Sequence, residues 1–288
     1  MHLCNNCPNK CNVDRNVNIG YCGVKKDIKL ARAGLHFGEE PCISGANGSG
    51  TIFFSGCSLK CVMCQNYDIS HHCHGKDVSQ GEFIEVIKNL ENSGAHNINF
   101  VTPTHYYSSI KDALAVYRPE IPLVYNSSGY ECVDNIKDDI FDVYLFDLKY
   151  FSTEKSERYS NCKNYFQVAS EVIKTACDVV GKPVFDEKGI LRRGVVVRHL
   201  ILPSNTNDSL KAIEWLNDNA PDIVFSLMSQ YVPMFKSNEF PEINRKITKR
   251  EYNKVLNKCY DCNFYETYIQ DLSSSTTEFI PKFDLTGI

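Results

Sequence analysis

The chain has no surplus of positive charge: its 31 Lys and Arg face 35 Asp and Glu, for a net charge of −4 over 288 residues. A polyanion is therefore disfavoured, and nucleic acid is not the expected partner. No apolar run approaches the roughly eighteen residues that a membrane span needs. The start, MHLCNNCPNK, lacks the charged-then-apolar pattern of a secretion signal. Both absences lead us to expect a cytoplasmic protein with no membrane partner. Internal repeats are missing, and the one low-complexity tract is SSSTT at 273–277.

Cysteine, in contrast, is plentiful at 14 residues. Disulfides are rare in the cytosol, so clustered cysteines there point to metal. Cys42, Cys132, Cys162 and Cys177 stand apart and are expected to be small core hydrophobes. The remaining composition, 43% hydrophobic and 23% charged, is that of an ordinary globular protein. A chain of this length buries roughly three quarters of its unfolded surface and needs no covalent staples.

Residues 1–45 are polar and cysteine-dense and read as a metal-binding extension, with the main domain at 46–288. From Thr51 the pattern changes. GTIFFSG, HNINFVTPT, IPLVYNSSG, FDVYLFDLKY, GVVVRHLILP and DIVFSLMSQY are strand-like. Helical spacing appears between them, as in SQGEFIEVIKNLENSG, SSIKDALAVY, ECVDNIKDD, 153–180 and 207–219. PVFDEKGILRRG suggests a β-hairpin. Thr248 caps a last helix, and NFYETYIQ closes as an extended piece. Strand and helix thus alternate about six times, which predicts an α/β fold with parallel strands and right-handed crossovers. That is too few repeats for a full eight-fold barrel, so a partial (β/α)6 barrel is expected. In such folds the reactive groups gather at the C-terminal strand ends.

Cys57, Cys61 and Cys64, in GCSLKCVMCQN, lie just past the first of these strands. A loop this short can wrap three corners of one iron–sulfur cubane, leaving one iron without a protein ligand. Two competing ligand sets stay open: a closed cluster with Cys73 as fourth ligand, or zinc with one of His71, His72 or His74.

CSLKCVMCQN resembles the cluster loop of radical S-adenosylmethionine (SAM) enzymes, and within them the glycyl-radical activases. The resemblance implies a [4Fe–4S] cluster held by Cys57, Cys61 and Cys64, with SAM chelating the fourth iron. Reductive cleavage of SAM then yields a 5′-deoxyadenosyl radical that abstracts hydrogen from a substrate. It also implies an electron donor such as flavodoxin or ferredoxin. Met63 matches the position near the adenine. YNSSG at 125–129 and FDLKY at 146–150 resemble activase motifs, which implies SAM contacts for Asp147 and Lys149 and a monovalent cation site lined by Asp147, Asn126 and Ser127. RHLILP at 198–203 implies Arg198 against the SAM carboxylate, and LMSQY at 227–231 implies Tyr231 at the ribose. Arg198 and His199 point to opposite strand faces, and Arg198 is the one expected to look inward. The usual Gly-Gly-Glu segment is replaced by VTPTH, where Thr102 and Thr104 are expected to meet the SAM ammonium. His105 in that segment is more often a structural residue.

A second group, Cys4, Cys7, Cys11 and Cys22, is spaced C-x2-C-P-x2-C-x10-C. Four thiolates can close a zinc site or a complete [4Fe–4S] cluster. Spacing does not choose between them, and iron–sulfur is favoured because a protein holding one such cluster lives where they are assembled. The amino-terminal group also fits the resemblance to a branch like the pyruvate formate-lyase-activating enzymes. Cys259 and Cys262 have no second pair nearby and read as core. The expected target is a glycine of a glycyl-radical enzyme, with a small molecule or peptide as a second reading. A non-enzymatic two-cluster electron carrier is a third. The tail LSSSTTEFIPKFDLTGI fits either a lid over the barrel or a strap on its side.

Overall fold

The computed structural model describes residues 3–277 and 280–288. Strands β1 (Ile28–His36), β2 (Ser49–Phe54), β3 (Lys76–Val78), β4 (Ile98–Val101), β5 (Leu123–Ser127), β6 (Val143–Asp147), β7 (Val184–Phe185), β8 (Leu191–Leu200), β9 (Val224–Met228) and β10 (Glu266–Ile269) form a ten-stranded sheet. Its order is β10-β9-β8-β6-β5-β4-β2-β1-β3, with β7 pairing beside β8. The strands β2, β4, β5, β6, β8 and β9 run parallel, as the alternation of elements predicts. β10 extends the parallel set beyond β9. At the other edge β1 and β3 turn antiparallel.

The helices are α1 (Pro41–Ser44), α2 (Tyr67–Ser70), α3 (Gln80–Asn92), α4 (Tyr107–Val116), α5 (Val133–Lys137), α6 (Thr153–Ser160), α7 (Tyr165–Val180), α8 (Thr206–Asn219) and α9 (Lys249–Tyr260). Capping sets several of their starts. Ser79 with Glu82 and Thr248 with Glu251 form reciprocal capping boxes on α3 and α9, each worth about 1 kcal/mol. Asn161 ends α6 in the left-handed conformation, which its short polar side chain tolerates.

Strand alternation divides the barrel into two surfaces. Leu123 and Tyr125, Tyr144 and Phe146, Val195 and Val197, and Phe225 and Leu227 face the helices in the main core. Val124, Val143, Leu145, Val196 and Val224 face inward with Ile43 and Cys42 and fill the closed end. The inward series continues toward the C-terminal strand ends as Asn126, Asp147, Arg198 and Met228, the residues that line the open end.

β1 departs from expectation. IKLARAGLH belongs to the sheet, so the cysteine-rich segment that stands outside it ends near residue 27 instead of 45. That segment docks on the barrel's open end. Asn6 and Arg15 donate to the His105 carbonyl, Asn9 donates to the Ser58 carbonyl at 2.7 Å, and Asn135 donates to the Asn6 carbonyl at 3.0 Å.

The tail does part of each expected job. Ala33 donates to the Thr286 carbonyl and Leu285 to the Ala31 carbonyl, which straps the tail along β1. Ile280 and Pro281 reach the mouth of the cavity, and Glu278 and Phe279 lie outside the described residues. Among the described residues no helix is long and apolar enough to cross a membrane.

Candidate active site

A cavity of about 250 Å³ opens at the C-terminal strand ends, and Cys57, Cys61 and Cys64 line it together. Gly56, at φ +87°, turns the chain out of β2 into this loop. A β-carbon there would stand 2.9 Å from the Cys22 carbonyl oxygen, closer than atoms pack, so only glycine lets the amino-terminal segment approach. The loop is held on its far side too, where Val62 donates to the Tyr159 carbonyl and Lys236 to the Val62 carbonyl.

Each of the three sulfurs has a polar neighbour. The Leu59 N–H donates to Cys57 Sγ at 3.4 Å, the Ser160 hydroxyl donates to Cys61 Sγ at 3.0 Å, and Ser70 Oγ sits 3.1 Å from Cys64 Sγ. Burial, with repulsion from Cys61 added, pushes the Cys57 thiol up to about 12 and the Cys64 thiol up to about 11. Thiols so placed ionise together only against a strongly cationic partner.

Among the described residues, the four candidates for a further ligand are turned elsewhere. Cys73 Sγ is turned toward the carbonyls of Cys22 and His71. His71 bonds Ser70 and packs on Phe235, and His72 faces Asp68. Neither Cys73 nor any of His71, His72 and His74 lines the cavity.

Facing the thiols is a charged group. Arg198 donates from Nε to Asp147 at 2.6 Å, from Nη1 to Glu39 at 2.7 Å and from Nη2 to Asn126 at 3.0 Å. Lys149 Nζ donates to Asp147 at 2.9 Å. Burial opposes ionisation of Asp147, but Arg198 and Lys149 outweigh it and hold the carboxyl down at about 2. Burial likewise works against the charge on Arg198, and Asp147, Glu40 and Glu39 overcome it. Glu40 lies fully buried below, where burial raises its carboxyl.

Of the residues expected at the site, Met63, Thr102, Asn126, Ser127, Asp147, Lys149 and Arg198 line this cavity. Thr104 and Tyr231 do not. The chain turns at Thr102, which adopts φ +62°, and Thr104 then enters a short 3-10 helix with its hydroxyl donating to Glu131 at 2.7 Å. Tyr231 is buried and donates to the Ile243 carbonyl at 2.8 Å. It sits one residue out of phase: Met228 and Gln230 face the cavity and Tyr231 faces away. His105 is a structural residue, its Nε2 bonded to the Ser55 carbonyl at 2.8 Å. Gln230, which follows from alternation through LMSQY, also lines the cavity, as does Glu39, to which no sequence pattern points. Glu39 precedes every recognisable motif of the barrel, and its contact with Arg198 spans 159 positions.

The segment that carries these three loop thiols and the acid–base cluster falls within a known family, apart from Glu39 and Glu40. Residues 51–216 match the Radical SAM superfamily. The chain belongs to that superfamily. This radical SAM protein is also 33% identical over 265 residues to an uncharacterized protein of Methanocaldococcus jannaschii, across 88% of this chain and 73% of that one. Its fold is similar to that of Streptococcus suis SuiB bound to S-adenosylmethionine, with TM-score 0.52 and 10% identity, over 75% of this chain and 48% of that one. A fainter likeness links it to the FeFe-hydrogenase maturase HydG from Carboxydothermus hydrogenoformans, with TM-score 0.42 and 9% identity, over 80% of this chain and 59% of that one. The chain thus spans about half the length of SuiB.

Membership brings a [4Fe–4S] cluster and SAM as the family's cofactors, and enzymatic radical chemistry with them. The residues present suit both groups. Three thiols on one loop give thiolate ligands with hydrogen-bond donors on their sulfurs, which tune such clusters. Adjacent fixed charges of both signs suit a zwitterion such as the methionyl end of SAM.

Proposed function

We propose that Cys57, Cys61 and Cys64 are the ligands of this radical SAM protein's cluster, and that SAM lies against Met63, Thr102, Asn126, Ser127, Asp147 and Lys149. The observation that carries this reading is the meeting of the three loop thiols with Asp147, Lys149 and Arg198 in one cavity. When bound, the cluster and SAM supply a 5′-deoxyadenosyl radical, and hydrogen abstraction is then the work of the cofactor, with the protein supplying position and dryness.

The protein's own contributions differ among its residues. Asp147, held ionised, accepts from the SAM ammonium, while Lys149 offers its remaining protons to the carboxylate. The family resemblance implies Arg198 at that carboxylate. Three of its five N–H groups donate to Asp147, Glu39 and Asn126, which holds Asp147 charged and oriented and leaves two for that carboxylate. Met63, 8% exposed with its sulfur 3.7 Å from the Tyr150 hydroxyl, gives the adenine a polarisable apolar contact. Ile280 and Pro281 add apolar lining to the cavity.

The target we favour is a backbone glycine of a glycyl-radical enzyme. It rests on the resemblance of CSLKCVMCQN, YNSSG and FDLKY to the activases. The electron comes from a flavodoxin- or ferredoxin-type donor in the cytoplasm.

Cys4, Cys7, Cys11 and Cys22 form the second metal site, with iron–sulfur favoured over zinc. Among the described residues no three His, Cys, Asp or Glu side chains close on a single ion. The preference rests on the barrel cluster: a protein holding one iron–sulfur cluster lives where they are assembled.

The test is anaerobic reconstitution followed by SAM and dithionite. Wild type is expected to release 5′-deoxyadenosine and Cys61→Ala to release none. An active Cys61→Ala protein would refute the ligand assignment, and an inactive wild type with intact clusters would favour the electron carrier.

A further inference from the structure

We propose that Cys4, Cys7, Cys11 and Cys22 hold a redox-active iron–sulfur group in one-electron contact with the barrel group, through the hydrogen bond between Cys57 and Cys22. This inference rests on the function proposed above.

Three of the four thiols gather around Gly20 and Arg15. Cys11 Sγ and Cys22 Sγ lie 3.6 and 3.2 Å from where a β-carbon on Gly20 would stand. Arg15 donates to Cys4 Sγ at 4.0 Å, and its Cδ lies 3.6 Å from that same point. The group is two-sided. Cys7 and Cys22 are 6% and 5% exposed and face the barrel, whereas Cys4 and Cys11 are half-buried toward solvent.

On the inner side the link to the active site is direct. The Cys57 N–H donates to the Cys22 carbonyl at 3.1 Å. Sulfur is thereby joined to sulfur through Sγ–Cβ–Cα–C=O of Cys22, one hydrogen bond, and N–Cα–Cβ–Sγ of Cys57. The absence of a side chain at Gly56 permits this contact, and the Asn9 bond to Ser58 braces it one residue further along the loop.

The chemistry of the ligand set narrows the role. Four thiolates fill every iron of a cubane, so none is left open for a substrate. Zinc has no redox chemistry and would give this contact nothing to carry. A closed iron–sulfur group bonded to the first cysteine of the barrel loop is placed for electron exchange. A low-potential one-electron donor, a flavin hydroquinone or an iron–sulfur protein, loses one electron at the Cys4 and Cys11 side. The same electron leaves at the Cys22 side, so the group returns to its starting state, and no bond or proton is exchanged.

The experiment uses the full chain, reconstituted without oxygen, with iron and zinc counted and the dithionite-reduced protein examined by electron paramagnetic resonance. Wild type is expected to show two reduced clusters whose signals are broadened by interaction between neighbouring spins. Cys11→Ser is expected to lose roughly half its iron, leaving one sharp cluster signal. Zinc in the amino-terminal site, or two iron signals without interaction, would overturn the proposal. Should Cys11→Ser not fold, the wild-type spectrum decides alone, since broadening supports the contact and its absence refutes it. The readings also separate. If SAM perturbs the reduced signal and no broadening is seen, only the contact fails. If SAM perturbs nothing, the proposed function fails whatever the broadening.

Discussion

Replacing Arg198 with methionine keeps an unbranched apolar stem and removes a guanidinium that holds two carboxylates and an amide. In the wild type, the fall of Asp147 from 3.8 to about 2 corresponds to about 2 kcal/mol at 1.36 kcal/mol per unit. That stability is present above pH 3.8 and is lost only as the pH falls through about 2, so it is constant near neutral pH. Without Arg198, burial dominates, and Lys149 is the cation left beside Asp147. Breaking a buried pair in this way costs about 3–5 kcal/mol, or about 10 °C in melting temperature for a chain of this size. The folded-state value of Asp147 then rises, since burial is opposed by Lys149 alone. The deficit is therefore complete at pH 8 and shrinks toward the carboxylate range as Asp147 protonates. Anaerobic circular-dichroism melts of the two proteins from about pH 8 to pH 5.5 measure it. A variant that melts within about 2 °C of wild type would refute the assignment of Arg198 as the brace of a charged Asp147.

Other substitutions probe the remaining assignments. Tyr231→Phe removes the bond to the Ile243 carbonyl and should cost about 1 kcal/mol in stability while leaving SAM affinity by calorimetry unchanged; weaker binding would return Tyr231 to the ribose. Thr102→Gly relieves a β-branched residue at φ +62°, so a gain of up to about 1 kcal/mol is expected in thermal melts, and a loss would show that the Thr102 side chain holds the turn. Burial raises Glu131 to about 7 against an ordinary 4.5, so wild-type stability should fall by up to about 3 kcal/mol as pH rises between those values; Glu131→Gln should flatten that slope, and an unchanged slope would exclude this carboxyl.

Strand parity makes much of the site legible from sequence. Alternation along β8 sends Arg198 inward and His199 toward Leu148, and the same rule applied to β9 turns Gln230, not Tyr231, toward the cavity. The cluster loop is readable because its residues are local. Glu39 is not, since an acid 159 positions from its partner leaves no mark in any window of sequence. β1 escapes for a different reason: IKLARAGLH carries Lys, Arg and Gly, and its polar alternation suits an antiparallel strand near a sheet edge more than the apolar runs of buried parallel strands. Thr104 misses the cavity because the left-handed turn at Thr102 redirects the chain into a 3-10 helix. The contact between Cys22 and Cys57 depends on packing between two separate segments, which spacing within either one does not encode.

The central claim is that one iron of the barrel cluster is left open for SAM. The most direct measurement is electron–nuclear double resonance on the reduced protein with SAM labelled by nitrogen-15 at its amino group. Coupling of that nitrogen to the cluster is the predicted result. A reduced signal unmoved by SAM, with no nitrogen coupling and four protein ligands on the cluster, would contradict the account.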